Sequence, residues 1–240
     1  MQRTDERQRR LAAGIDAPAI RGILNGTSAL VMTAIISTVT GFLLGLAALF
    51  AATDPMPLWL LARAGGITAY LLLTIVTAMG ILLSHNTRAR HRPHPSRIRV
   101  HLAMVVFTLV FTVLHIVVLA VDPYAKVGVL GALLPMASTF EPVEVTLGVL
   151  ALWAGVIAGT SAALAGRGAG RIWLQLHRFA AASWVLAWVH AVLTGVDTAD
   201  LVGMYVFTGL GVMGLALWRY LSREKVVEQA LSGRAPVVVR

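Results

Sequence analysis

The chain has 240 residues, 58% of them hydrophobic and 13% charged, with a formal net charge of +9. A soluble domain carries about 25% charge, and a water-soluble fold of this size cannot hide so much apolar surface, which leaves a polytopic protein of the lipid bilayer. The positive charge does not imply nucleic acid, because the basic residues flank apolar runs, and the absence of cysteine excludes disulfides, iron–sulfur clusters and thiol chemistry, leaving histidine as the strong ligand for iron or copper.

Residues 1–27 are charged over Met1 to Arg10 and have no apolar core until after Thr27. They are expected to form a cytoplasmic N-terminal tail, with a short interfacial helix near residues 11–24, and not a cleavable signal peptide. A helix needs roughly 20 apolar residues to cross the hydrocarbon core. Six stretches qualify: 29–52, 58–83, 101–121, 143–164, 173–193 and 201–221. The fold class expected is therefore all-α, a six-helix transmembrane bundle over 28–222, followed by a tail at 223–240. Its longest connections are a basic loop at 84–100 and a less charged one at 122–142. The segment GVLGALLPMASTF in the second is too apolar to be freely solvated and is expected to fold back over the outer end of the bundle as a lid. Gly41 with Gly45, and Gly155 with Gly159, are small-residue pairs that allow close helix approach.

Orientation follows from the basic residues. Eighteen of the twenty Lys and Arg fall on one side of the six-span layout: the N-terminal tail, the 84–100 loop, Arg167, Arg171, Arg178 and the C-terminal tail. The other side has Lys126 and Arg63, with Asp54, Asp122, Glu141, Asp197 and Asp200. By the positive-inside rule both termini are cytoplasmic. Arginine outnumbers lysine eighteen to two and alanine is abundant, a usage that suggests a GC-rich bacterium and so a bacterial plasma membrane.

Four histidines lie within the spans, in two pairs: His101 and His115 on the third, His177 and His190 on the fifth. Both spans run the same way, so His101 and His177 share the cytoplasmic level, while His115 and His190 lie toward the outer face. A 14-residue step rises roughly 21 Å. Each level can offer one imidazole from each helix, and a haem held there would have two axial histidines. Fourteen steps return within about 40° of the starting face, whereas the thirteen from His177 to His190 end about 140° away. That second pair needs a tilt, a local distortion or different rotamers to face one neighbour. Intramembrane ionisable groups are functional candidates, against the plainer alternative of interhelical hydrogen bonding. His85, His91 and His94 sit in HNTRARHRPHPSR, where Pro93 and Pro95 prevent a helical ligand array, and a solvated or headgroup-facing role is expected.

In these residues the chain resembles the ferric reductase-like transmembrane family, which includes the membrane domains of ferric reductases and NADPH oxidases and the haem-binding subunit of the periplasmic methionine sulfoxide reductase system. The resemblance rests on WLLARAGGITAYLLLTIVTAMGILL, HLAMVVFTLVFTVLH, LLPMASTFEP and WLQLHRFAAASWVLAWVHAVLTGVD, and covers about residues 58–200. The 13- and 12-residue gaps between paired histidines match its oxidase branch. The resemblance implies two b-type haems, one between His101 and His177 and one between His115 and His190.

Haem propionates need cationic partners. Arg63, in the outer half of the second span, is the candidate for the outer haem, with Arg99 and Arg178 for the inner one. Phe107, Phe111 and Trp184 lie between the two levels, as cofactor packing or as ordinary core. About 20 residues follow the last span and no dinucleotide fingerprint occurs, so FAD, FMN or a quinone would come from a partner. No Asp or Glu lies deep in a span, which favours electron transfer over ion transport. The expected function is an oxidoreductase component carrying electrons outward from a flavoprotein reductase or the quinol pool to ferric iron, oxygen or an extracytoplasmic redox partner. The competing class is a histidine-based transition-metal transporter or sensor.

Overall fold

The computed structural model describes residues 56–86, 95–164 and 172–231, with side chains for 58–84, 97–164 and 172–222. The expected span at 29–52, the tail at 1–27, Gly41, Gly45, His91 and His94 lie outside the described residues, and of His85 only the backbone is described. Regular structure among the described residues is entirely helical: α1 Met56–Asn86, α2 Pro95–Val121, α3 Gly128–Leu133, α4 Pro142–Ala163, α5 Ile172–His177, α6 Phe179–Thr194 and α7 Thr198–Leu231. Five segments are long and apolar enough to cross a membrane: Leu58–Ser84, Arg97–Val121, Pro142–Ala163, Ile172–Thr194 and Thr198–Ser222. They correspond to the second to sixth expected spans, and the chain is accordingly read as a multi-pass membrane protein.

The boundaries differ from hydropathy where polar residues are good helix formers. α2 begins at Pro95, six residues before His101, because proline fixes a helical φ and lacks the N–H that a first turn leaves unpaired. α4 starts on Pro142 for the same reason. α7 continues ten residues past 221, through SREKVVEQAL, whose Arg, Glu, Lys, Gln and Ala favour helix with or without lipid around them. The fifth span is broken at Arg178. There the Arg178 N–H donates to the Gln175 carbonyl (3.2 Å) and the Ala181 N–H to the Arg178 carbonyl (3.0 Å), the tighter i→i−3 pattern of a 3₁₀ turn.

The helices pack as two antiparallel pairs, α1 with α2 and α4 with α5 and α6; α1 also meets α6, and α7 packs on both. Small residues fill the interior, including Ala62, Ala69, Ala154, Ala158 and Ser183, so that backbones approach closely. Large apolar side chains face outward, with Phe207 80% and Leu210 66% exposed, the reverse of a water-soluble core. Leu58, Ala62, Leu114 and Val118 close the α1–α2 seam. A polar and aromatic cluster ties α1 to α6 and α7. The Tyr70 hydroxyl bonds Thr208, Tyr70 and Tyr205 have ring centroids 5.5 Å apart, the Trp184 indole donates to Thr74 (2.9 Å), and the Trp188 indole donates to the Tyr205 carbonyl (3.0 Å).

The 122–141 connection is a built structure. Asp122 is buried, and one carboxylate oxygen accepts the Tyr124 N–H at 2.9 Å, an Asx turn over Pro123. Ala125, Val127 and Ala132 pack on Trp59, Ile116, Leu119 and Val145. Lys126, Met136 and Glu141 have positive φ, a conformation that costs about 1–2 kcal/mol at a non-glycine residue. Side chains hold two of these turns: Thr139 donates to the Lys126 carbonyl (2.6 Å), and Thr146 accepts the Met136 N–H (2.8 Å). The loop thus folds over the end of the bundle to which His115 is nearer.

Candidate functional site

His115 and His190 sit in matching surroundings on different helices. The His115 ring on α2 directs Nδ1 at the Ala62 carbonyl of α1 (2.7 Å). The His190 ring on α6 directs Nδ1 at the Glu144 carbonyl of α4 (2.8 Å). A carbonyl oxygen can only accept, so Nδ1 carries the proton in both rings and Nε2 keeps its lone pair. That is the tautomer of a metal-ligating histidine whose other nitrogen is fixed by a hydrogen bond.

His177, the last residue of α5, makes the same kind of bond to the Ala158 carbonyl of α4 at 3.1 Å, and its ring lies 6.0 Å from that of Trp173. His101 differs: its Nδ1 is buried without a hydrogen-bond partner. It faces α1 near Gly80, where an added Cβ would lie 3.7 Å from its Cε1. Ala62 and Gly80 are eighteen residues apart, about five full turns, so both histidines of α2 meet one face of α1.

The phase problem of the fifth span is resolved at Arg178. Glu144, Ala151 and Ala158 recur at seven-residue steps along one face of α4. Their carbonyls accept from His190, Ser183 and His177 in turn. Seven residues separate His190 from Ser183 but only six separate Ser183 from His177. The tight turn at Arg178 supplies most of the missing rotation, since each 3₁₀ step turns about 120° against about 100° in an α-helix. Local distortion, one of the three possible remedies, is present.

The arginines divide. Arg63 forms a two-point ion pair with Asp197: Nε donates to one carboxylate oxygen at 2.9 Å, and Nη2 pairs with the other. Both side chains are about two-thirds buried. Arg63, the candidate cation for the outer haem, is thus neutralised by an acid 134 residues away, in the turn between α6 and α7. Arg99 and Arg178 are exposed. Trp184 is buried and stacks on Trp188 at 6.4 Å, Phe111 packs against the α1–α2 seam, and Phe107 is 41% exposed.

Comparison with protein-family models, curated proteins and solved structures finds no match to the chain. The site therefore stands on its own geometry. Sequence reasoning missed Asp197, the three receiving carbonyls, and Gly66 and Gly148, which lie against the imidazoles of His115 and His190. Backbone carbonyls carry no sequence signal. The two glycines did, as helix-weakening residues inside strongly apolar spans.

Proposed function

We propose that this chain is a haem b electron-transfer subunit of the ferric reductase-like kind, a six-span bundle of a bacterial plasma membrane with both termini cytoplasmic. Haems would be held between His101 and His177 and between His115 and His190. The observation that carries the reading is tautomeric: three of the four intramembrane histidines donate Nδ1–H to a neighbouring helix and keep Nε2 for a ligand. The donor set fits the group. One histidine on α2 and one on α5–α6 would serve each level, and neutral imidazole is a donor that haem iron takes. When bound, a haem held by these histidines would supply a one-electron couple at each level.

The protein's share is binding, orientation and exclusion of water. Carbonyls of α1 and α4 fix the orientation of the His115, His177 and His190 rings and make these three imidazoles stronger donors. The 122–141 loop covers the bundle end beyond His115 and His190. Asp197 neutralises Arg63, which can then remain at depth with part of its guanidinium free for an anionic group; Arg99 and Arg178 are the exposed cations beside the other level. Electrons would enter from a separate flavoprotein carrying FAD or FMN, or from the quinol pool, and leave to ferric iron, oxygen or a redox partner outside.

An optical spectrum of the purified protein tests this. Dithionite reduction is expected to sharpen and shift the Soret band and raise an α-band, with two haems per chain; a spectrum without these changes sinks the reading, and bound copper or zinc in their place favours a metal transporter or sensor. His115→Ala is expected to remove roughly half of the haem.

A further inference from the structure

We infer that Gly66 and Gly148 are positioning residues, each forming with the carbonyl four residues before it a seat that holds one imidazole of the His115/His190 level. The inference deepens the proposed function and rests on reading these histidines as ligands. In an α-helix the carbonyl of residue i points toward residue i+4, whose Cβ stands beside it. A side chain there screens the carbonyl from a neighbouring helix, and glycine uncovers it. Ala62 with Gly66 and Glu144 with Gly148 both follow this spacing, on two different helices.

The space is specific. A Cβ on Gly66 would lie 2.8 Å from both Cε1 and Nδ1 of His115. On Gly148 it would lie 2.9 Å from Cε1 and 3.0 Å from Nε2 of His190. Neither ring can swing aside without giving up its bond to the carbonyl, and a methyl group so close to Nε2 also crowds the nitrogen a metal needs. Ala151, Gly155 and Ser183 repeat the arrangement: the Ser183 hydroxyl donates to the Ala151 carbonyl at 2.7 Å, and a Cβ on Gly155 would lie 3.2 Å from the Ser183 Oγ. The other level lacks it. His177 bonds Ala158, with Ala162 four residues on, and a Cβ on Gly80 would lie 3.7 Å from the Cε1 of His101, whose Nδ1 has no partner. The two levels are thus built unequally, the His115/His190 level stiff and the other adaptable.

Gly66→Ala and Gly148→Ala, purified as the full chain in detergent, test the seats. Gly159→Ala is the control, because nothing lies within 4 Å of a Cβ there. Each seat variant is expected to lose about half of the haem. If the haem is retained, its lower-affinity half should show a shifted midpoint potential and altered low-spin EPR g-values, while Gly159→Ala matches wild type. Seat variants with wild-type haem content, potentials and EPR overturn the inference. Histidine-labelled wild type gives a reading that needs no variant. The Nδ1–H signals of His115 and His190 should show the low-field shift of hydrogen bonding and that of His101 should not; its absence from both overturns the seats even if the variants fail to fold. Should wild type carry no haem, the proposed function fails separately. The same spectrum then decides the seats, Nδ1-protonated rings supporting them and Nε2-protonated rings overturning them.

Discussion

At the scale of single residues, electrostatics and hydrogen-bond direction do most of the work. The Arg63–Asp197 pair joins α1 to the α6–α7 turn, and its partial burial makes it worth more than a surface bridge. Asp197→Ala should destabilise the protein by about 1–3 kcal/mol, because it leaves a cation without its partner at membrane depth. Adding Arg63→Ala should restore part of that loss, since both desolvation costs then disappear. Thermal unfolding in detergent measures both, and a double variant no more stable than the single one would show that the pair does not act as a unit. The pair was not legible in sequence. Arg63 was visible as a cation inside a span, but its partner is 134 residues away, and only packing of α1 against the α6–α7 turn brings them together.

At the scale of elements, the chain obeys hydropathy in its spans and departs from it at their ends and at one internal turn. The α6–α7 turn depends on Gly195, where an added Cβ would stand 2.6 Å from both the Ala191 carbonyl and the Thr198 hydroxyl. That hydroxyl also donates to the Gly195 carbonyl at 2.6 Å, so neither neighbour can retreat freely. Gly195→Ala is expected to cost about 1–3 kcal/mol as overpacking, read as a lower unfolding midpoint, whereas Gly203→Ala, in open space, should be neutral or slightly stabilising. The break at Arg178 shows why periodicity alone left His177 and His190 unresolved. An unbroken α-helix keeps the ideal phase, but one turn of i→i−3 bonding is a tertiary choice that lets three side chains meet three carbonyls of α4.

At the scale of the whole molecule, the apolar exterior and small-residue interior invert the plan of a soluble protein, as lipid requires. The six-span, both-termini-cytoplasmic topology belongs to the proposed function, and the chain is well suited to testing it because it contains no cysteine. Cysteine introduced at Thr139 should react with a membrane-impermeant maleimide added outside intact cells. Cysteine at Arg88 or Arg234 should react only after the membrane is opened; reactivity from outside at the latter positions would reverse the orientation. Sequence by itself determined the membrane class, five spans that the structure bears out, and the four histidines as candidates, because hydropathy and ionisable residues in lipid are local signals readable one segment at a time. Tertiary structure decided which nitrogen each of three rings presents, that Arg63 is paired, and that Gly66 and Gly148 matter. Those facts depend on backbone carbonyls and interhelical distances, and neither exists until the helices are packed.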